Sequence, residues 1–239
     1  MKKYKLLLGD TLNYANKLYR IQALHSFGNI DKGELGGYVE KESNLSHKGD
    51  AWVSGDARVS GNARVSGDAH VYGNACVYRS ARVYGNARVY GDACVYGDAC
   101  VSEDAYVFGN THVFGNAWVF GDARVSEDAH VFDDACVSGN ACVSGNACVS
   151  GNACVSGNAY ISGDAYVTRN PVCIYGLSYS VILTDRHMRI GCEQYLLTEW
   201  LTFDEQRLAL MDGKKGKCFN KRHAKMLRAL VRSHIKAFT

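Results

Sequence analysis

The feature that most constrains this sequence is a six-residue repeat that runs from Ala51 to Val167 without an insertion or deletion. Its unit is Ala, a variable residue, Val, Ser/Tyr/Phe, Gly and Asn/Asp, and twenty consecutive units keep this pattern with few departures. Ala and Val are two positions apart, so both side chains point to the same side of a short strand. Gly and Asn/Asp tolerate the left-handed backbone angles of a turn. The repeat therefore predicts an all-β solenoid, a parallel β-helix with Ala and Val inside.

The repeat divides the chain into three predicted parts with different charge. Residues 1–48 form an N-terminal β cap with a balance of +3, residues 49–170 form the β-helix with −6, and residues 171–239 form a basic C-terminal α+β domain with +6. Both flanks are expected to cover the open strand edges at the ends of the solenoid, which otherwise invite end-to-end polymerisation. Because acidic turns are usually just solvated, they are only a weak case for mimicry of a phosphate ladder.

Short elements are predicted in both flanks. In the cap, strands are expected at 4–8 and 18–24, and turns at 33–46. In the C-terminal domain, three strands at 172–177, 180–184 and 188–192 precede two helices. The first helix has a capping-box pattern at Thr202 and Glu205 and runs to about residue 212. The second runs over about 220–236, with its packing side formed by Met226, Leu227, Leu230, Val231 and Ile235.

Composition excludes several classes of protein. With 25 Gly, one Pro and 47% apolar residues, the chain is neither disordered nor collagen-like. No apolar run approaches the roughly 20 residues of a spanning helix, and the apolar stretch at the N-terminus is too short for a signal peptide. We therefore expect a cytoplasmic protein without a membrane partner. Its ten cysteines are then expected as thiols rather than disulfides.

Two resemblances refine these predictions. The hexads resemble those of left-handed hexapeptide solenoids, in which three units make one triangular coil, so twenty units imply a left-handed helix of six to seven coils. The head LYRIQALHSFGNIDKGELGGYVEKESNLSHKGDAWVSGDARV and the tail LTDRHMRIGC resemble hexapeptide-repeat proteins encoded by phages and prophages of bacteria. Members of that group are labelled polymer-forming or transferase-like from the repeat alone. The resemblance therefore implies a bacterial host cell and supplies no catalytic residues.

With three units per coil, residues 18 apart stack as columns along the solenoid. The column after Val is aromatic in the middle coils, on all three sides, and is expected either to form a contact surface or to stabilise neighbouring coils. Hexapeptide solenoids commonly trimerise side to side, which makes a homo-oligomer, plausibly a trimer, the expected state. The candidate interface residues are Tyr72, Tyr78, Tyr90, Tyr96, Phe108, Phe114, Phe132 and Trp118.

One column places thiols and imidazoles in sequence at Cys94, His112, His130 and Cys148. These are the side chains that zinc prefers, and two neighbouring coils are close enough to share an ion. Four ligands in a straight column nevertheless span about 14 Å, which is too far for one tetrahedral site. We therefore predict neither a metal nor another cofactor, and keep His112 and His130 as weak candidates. Small, weakly polar side chains that tolerate partial burial are the favoured explanation of the outward cysteines.

Hexapeptide acyltransferases use a histidine base and a cofactor cleft, often shaped by a loop that interrupts the coils. The candidate bases here are His70, His112 and His130. No loop interrupts the hexads, so an enzyme is the less favoured interpretation.

Basic residues recur every three or four positions near the C-terminus and predict one stripe on the last helix: Lys221, Lys225, Arg228, Arg232 and Lys236, with Lys214, Lys215 and Lys217 just before it. Such a stripe can bind nucleic acid or an acidic partner, although no nucleic-acid motif accompanies it. A solvated face is the favoured interpretation.

The sequence thus leads to three functional hypotheses. The first is a non-catalytic phage-type solenoid that binds itself or a host protein. The second is a protein that captures a small ligand, such as a host signal. The third is an acyl-CoA transferase.

Overall fold

In a computed structural model, the chain is described over residues 1–13, 16–203 and 205–236, without the side chains of 205–214, 216, 217 and 220. The chain divides into two compact units, Met1–Asp164 and Ala165–Thr239. The three-part division at residues 48 and 170 stays a prediction.

The first unit begins with a small antiparallel sheet. Its strands are β1 (Tyr4–Asn13), β2 (Lys17–Ala23) and β3 (Leu35–Val39), followed by a single 3-10 turn over Glu42–Asn44. The first two strands were predicted, whereas the prediction of turns alone over 33–46 was wrong. Residues 35–39 form a strand because Gly36 and Gly37 lie so close to the first coil that a Cβ on either would be 2.6 Å from a backbone oxygen.

The repeat forms twenty strands of two residues each, and every strand consists of the variable residue and the following Val or Ile. The strands are β4 (Trp52–Val53), β5 (Arg58–Val59), β6 (Arg64–Val65), β7 (His70–Val71), β8 (Cys76–Val77), β9 (Arg82–Val83), β10 (Arg88–Val89), β11 (Cys94–Val95), β12 (Cys100–Val101), β13 (Tyr106–Val107), β14 (His112–Val113), β15 (Trp118–Val119), β16 (Arg124–Val125), β17 (His130–Val131), β18 (Cys136–Val137), β19 (Cys142–Val143), β20 (Cys148–Val149), β21 (Cys154–Val155), β22 (Tyr160–Ile161) and β23 (Tyr166–Val167).

Nineteen of these strands, those of the first unit, stack as three parallel sheets, one on each face of a solenoid of about seven coils. Face A contains β3-β5-β8-β11-β14-β17-β20, face B contains β4-β7-β10-β13-β16-β19-β22, and face C contains β6-β9-β12-β15-β18-β21. Residues 18 apart are in register, as in the pair Arg88 and Tyr106. The predicted parallel β-helix and its columns are therefore confirmed.

The interior of the solenoid consists almost entirely of Ala and Val from the repeat, which are at most 1% exposed. A small and a β-branched residue per unit suit the interior of a narrow triangular prism. Thr111 occupies an Ala position, and its hydroxyl donates to the Phe108 carbonyl at 2.6 Å. The one polar side chain of this kind therefore satisfies its hydrogen bond locally.

Acidic residues replace glycine at some of the turns between strands. Gly121 has a φ of +72°, and Glu103, Glu127 and Asp133 adopt the same left-handed region at corners where most units have Gly. The Glu103 carboxylate accepts the N–H of Gly121, 18 residues later, at 3.0 Å. Glu127 and Asp133 accept the N–H groups of the glycines 18 residues after them in the same way. These bonds link neighbouring coils and offset part of the strain of the left-handed backbone.

Side chains of the N-terminal cap satisfy the exposed carbonyls of the first coil. Lys3 is 2% exposed, and its ammonium group donates to the Gly49 and Ala51 carbonyls at 3.0 and 2.7 Å. The amide of Asn44 donates to the carbonyls of Gly61 and Ala63 at 3.1 and 2.9 Å. This end of the solenoid is therefore covered, as expected for an edge that must not pair with another chain.

The second unit contains an antiparallel sheet of β24 (Val172–Ile174), β25 (Val181–Leu183), β26 (His187–Ile190) and β27 (Glu193–Leu196), paired in that order. Two helices follow, α1 (Leu197–Thr202) and α2 (Glu205–Lys236). Their shared core consists of Val181, Leu183, Met188, Leu197, Trp200, Phe203, Phe219, Leu227 and Val231. Over the described residues, no helix is long and apolar enough to cross a membrane.

The helices differ from the predicted pair. Neither β27 nor α1 was predicted, and a single helix of 32 residues replaces the predicted break between 212 and 220. Gly213 and Gly216 lie within it, because one interior glycine costs only about 1 kcal/mol and does not end a helix. Helix α1 begins where the Leu196 N–H donates to the Glu199 carboxylate, whereas the Glu205 side chain of the predicted capping box lies outside the described residues.

Candidate functional site on the solenoid faces

Two columns of aromatic rings stack along the corners of the solenoid. Aromatic ladder 1 consists of Tyr72, Tyr90 and Phe108, with ring centroids 4.8 and 4.9 Å apart and planes within 3°. Aromatic ladder 2 has four stacked rings 4.8 to 5.0 Å apart with planes within 6°: Tyr78, Tyr96, Phe114 and Phe132. Each ring covers the next and remains half-buried. Both predicted interpretations therefore remain, because the stack links the coils and its outer edges stay accessible to a partner.

The third corner column is not a ladder. Ser102 is buried between Tyr84 and Phe120 and interrupts the aromatic column there. Tyr84 is 39% exposed. Trp118 on face C is 55% exposed and touches Phe120 edge to face at 6.5 Å. Accessible rings thus lie on all three sides, as predicted, but continuous stacks lie on only two of them.

Face A brings together the thiol and imidazole side chains of the Cys/His column. The column runs in register through Arg58, Cys76, Cys94, His112, His130 and Cys148. The rings of His112 and His130 stack at 5.1 Å with planes 4° apart. Burial, and secondarily the charge of His130, lowers the pKa of His112, so neutral imidazole is favoured. In the described part of the chain, no group of three or more His, Cys, Asp or Glu could hold a metal ion.

Cys76 and Cys94 form a direct pair of thiols within this column. A hydrogen bond from Cys94, partly offset by burial, lowers the pKa of Cys76 to about 7, and the same interaction raises the pKa of Cys94. On face C, Cys136 and Cys154 form a second in-register pair. Burial, and then the neighbouring Cys154, raises the pKa of Cys136 to about 11. The 18-residue spacing of Cys76 and Cys94 is the sequence signal for this pair.

His70 lies on face B, in register with Trp52 and Arg88. Burial, and then the charge of Arg88, lowers its pKa. The structure therefore places one of the three candidate bases on a different face from His112 and His130, and does not assemble all three into one cluster.

A second contact that sequence reasoning missed lies on face B. The guanidinium groups of Arg88 and Arg124 lie 5.5 and 5.7 Å from the ring centre of Tyr106. Tyr106 is in register with both, so the ring is held between two cations from the coils before and after it. The 18-residue spacing of an Arg-Tyr-Arg series was the available signal.

The predicted basic stripe is only partly exposed to solvent. Lys221, Lys225, Arg232 and Lys236 are exposed on α2. Arg228 is half-buried and donates to the Phe203 carbonyl at 2.7 Å, so it anchors the helix instead. On the predicted packing side of the helix, Leu227 and Val231 are buried, whereas Met226 is 45% exposed and was wrongly assigned to that side. Lys215 is exposed, and the side chains of Lys214 and Lys217 lie outside the described residues.

Comparisons with known proteins give one sequence match to a solenoid repeat. A sequence model described as the YdcK beta-solenoid repeat matches residues 51–67, 57–72, 69–85 and 81–97. Eleven solved chains are structurally similar, among them a putative acetyltransferase of Bacillus cereus with 10% identity and a TM-score of 0.30. That match covers 69% of this chain and 92% of the other. No curated protein matches. The repeat match and the stacked parallel strands show a β-solenoid repeat protein, and a shared fold does not define its function.

Proposed function

We propose that this protein is a non-catalytic binding scaffold that associates through its aromatic ladders with a second copy of itself or with a host protein. The observation that supports the proposal is the pair of continuous ring stacks on a solenoid whose units have no inserted loop. A phage or prophage origin and action in the bacterial cytoplasm belong to the same proposal.

The geometry suits a broad contact surface. The ladders extend over three and four coils, and backbone hydrogen bonds of 2.7 to 3.0 Å join these coils. A rigid surface loses little conformational entropy on binding, and burial of its ring edges provides the favourable free energy. Side-to-side packing of identical faces would give a closed homo-oligomer, and a trimer is the first arrangement to test.

The acyl-CoA transferase and small-ligand hypotheses stay predictions from the sequence. The candidate bases are divided between faces A and B, and His112 and His130 stack on each other. A general base has to face the proton that it removes, so these stacked rings do not by themselves favour catalysis.

The decisive experiment is light scattering and native mass spectrometry of the full chain and of the double variant Tyr90→Ser, Phe108→Ser. We expect the double variant to shift the oligomer toward monomer, with an association constant at least about tenfold weaker, because two ring edges leave the interface. Tyr84→Ser removes an exposed tyrosine outside both ladders and is the matched control. An unchanged oligomer, or an equal effect of the control, would refute the role of aromatic ladder 1 in self-association.

A further inference from the structure

The outward cysteines of the solenoid fall into two groups. Four of them form in-register pairs on consecutive coils, Cys76 with Cys94 and Cys136 with Cys154. The other three have different residue types as neighbours in their columns: Cys100, Cys142 and Cys148. The two pairs therefore place thiols at a repeated, defined separation, and the three single cysteines provide internal controls.

The coil spacing fixes the separation within each pair. Tyr78 and Tyr96, two residues after Cys76 and Cys94, have ring centres 4.8 Å apart, and the next imidazole pair in the same column is 5.1 Å apart. A disulfide requires Cβ atoms about 3.5–4.5 Å apart, which is closer than this spacing. The in-register arrangement therefore suits an ion between two sulfurs better than a direct sulfur–sulfur bond.

A bond from thiolate to a metal such as zinc is about 2.3 Å long, so two such bonds in line span roughly 4.6 Å. No group of three or more potential ligands exists among the described residues, which favours an ion that accepts two ligands. Thiolates select soft ions such as Cu(I). We propose that Cys76 and Cys94 form a two-thiolate site for Cu(I), and that Cys136 and Cys154 form a second, equivalent site.

The surroundings of the first pair are compatible with ligation. Both side chains lie on the outside of the coil and are half-buried, so an ion reaches them without opening the core. Their thiols lie 3.6 and 3.7 Å from the carbonyls of Asn74 and Asp92, which orients both sulfurs on the same side. Binding releases two protons and no electrons: two thiols and one Cu(I) ion give a bis-thiolate complex of charge −1. Arg58, the next residue in the column, supplies a positive charge beside that complex.

The test is anaerobic titration of the fully reduced, full-length protein with Cu(I) against a competing Cu(I) chelator. We expect two tight Cu(I) ions per chain. Cys76→Ser and Cys94→Ser should each remove one ion, and so should their double variant, whereas Cys136→Ser should remove the other. Cys148→Ser, which changes a single cysteine in the same column, should keep both ions, as should Cys100→Ser on face C.

Three results would overturn the proposal. These are two ions retained in Cys76→Ser, one ion lost in Cys148→Ser, or a loss in Cys94→Ser without one in Cys76→Ser, which would indicate chelation with His112. X-ray absorption at the copper edge provides a second readout that does not depend on any variant, and a nitrogen ligand there would also refute two-thiolate binding. The oligomer experiment is independent of these outcomes.

Discussion

The solenoid and the C-terminal unit bury hydrophobic residues in opposite ways. Coils beyond the cap are filled by Ala and Val at repeated positions, whereas the C-terminal core depends on large residues such as Trp200, Phe203 and Phe219 that each occur once. In the solenoid, every coil has the same partners above and below, so stability accumulates from nearest-neighbour contacts. In the C-terminal unit, single residues hold a sheet and two helices together. Four predictions test this contrast.

The largest effect is expected from Val107→Asp. Val107 is fully buried, and an unpaired carboxylate there should cost at least about 3–5 kcal/mol because nothing in the Ala/Val interior compensates it. Urea unfolding followed by circular dichroism should show loss of the β transition with the helical signal retained. Tyr106→Asp, one residue earlier and pointing outward, is the control and should change the free energy of unfolding far less. Simultaneous loss of both signals would show that the units do not unfold separately.

Two tryptophan variants compare the core of the C-terminal unit with the surface of the solenoid. Trp200 is 6% exposed and donates from its indole to the Met188 carbonyl at 2.6 Å. Trp200→Ala should therefore destabilise the C-terminal unit by about 3–5 kcal/mol, measured by urea unfolding at 222 nm. Trp118→Ala on face C should stay within about 0.5 kcal/mol of the parent protein, because that side chain is mostly in solvent. Similar losses for both would contradict the assignment of a unique core to the C-terminal unit.

Replacing glycine by alanine should change the free energy of unfolding in opposite directions in the two units. A Cβ at Gly121 would lie 2.9 Å from the Gly139 nitrogen, and its φ of +72° disfavours alanine. Gly121→Ala should lower the free energy of unfolding of the solenoid by about 1–2 kcal/mol. Gly213→Ala lies inside helix α2 and should raise stability by about 0.5–1 kcal/mol, because glycine weakens a helix interior. Calorimetry of both variants checks the signs, and a stabilising Gly121→Ala would refute the strained corner.

The last effect concerns pH and belongs to the first unit alone. Burial lowers the pKa of Lys3 from 10.5 to about 8 despite the charges of Asp50 and Asp68. Between these values the unfolded chain holds a proton that the folded chain has released, so the free energy of unfolding should rise with pH from 8 to 10, with a slope of no more than about 1.4 kcal/mol per pH unit. Burial raises the pKa of Tyr4, so its contribution falls above pH 10.

Lys3→Met removes the titrating group and provides the control for that rise. In Lys3→Met, the free energy of unfolding measured in urea should not rise between pH 8 and 10, although loss of the Lys3 hydrogen bonds lowers its value at every pH. A rise of the same slope in Lys3→Met would assign the effect to another group.

The repeat made most of the solenoid predictable. The positions of Ala and Val within each unit predict the interior, and the 18-residue period predicts that Tyr90 stacks on Tyr72. Such inference works because each coil meets only its copies, so one local pattern determines all contacts.

The other features depend on contacts that the repeat period does not predict. Lys3 reaches the Gly49 and Ala51 carbonyls across more than 45 residues, and a lysine near a terminus is ordinarily solvated. Helix α2 continues through Gly213 against local propensity because its far end packs Leu227 and Val231 into the core. The interaction between the thiols of Cys76 and Cys94 could not be predicted from their residue types alone.

The register between coils also sets a rule for how this gene can change length. The three VSGNAC copies at 137–154 contain 18 residues, which is one complete coil. Deleting or duplicating that segment would move Tyr160 along the axis while keeping it on face B, so every column after it would be preserved. Deleting a single copy would transfer all later columns to a different face. Insertions and deletions in the repeat should therefore be tolerated when they contain 18 residues and selected against when they contain six.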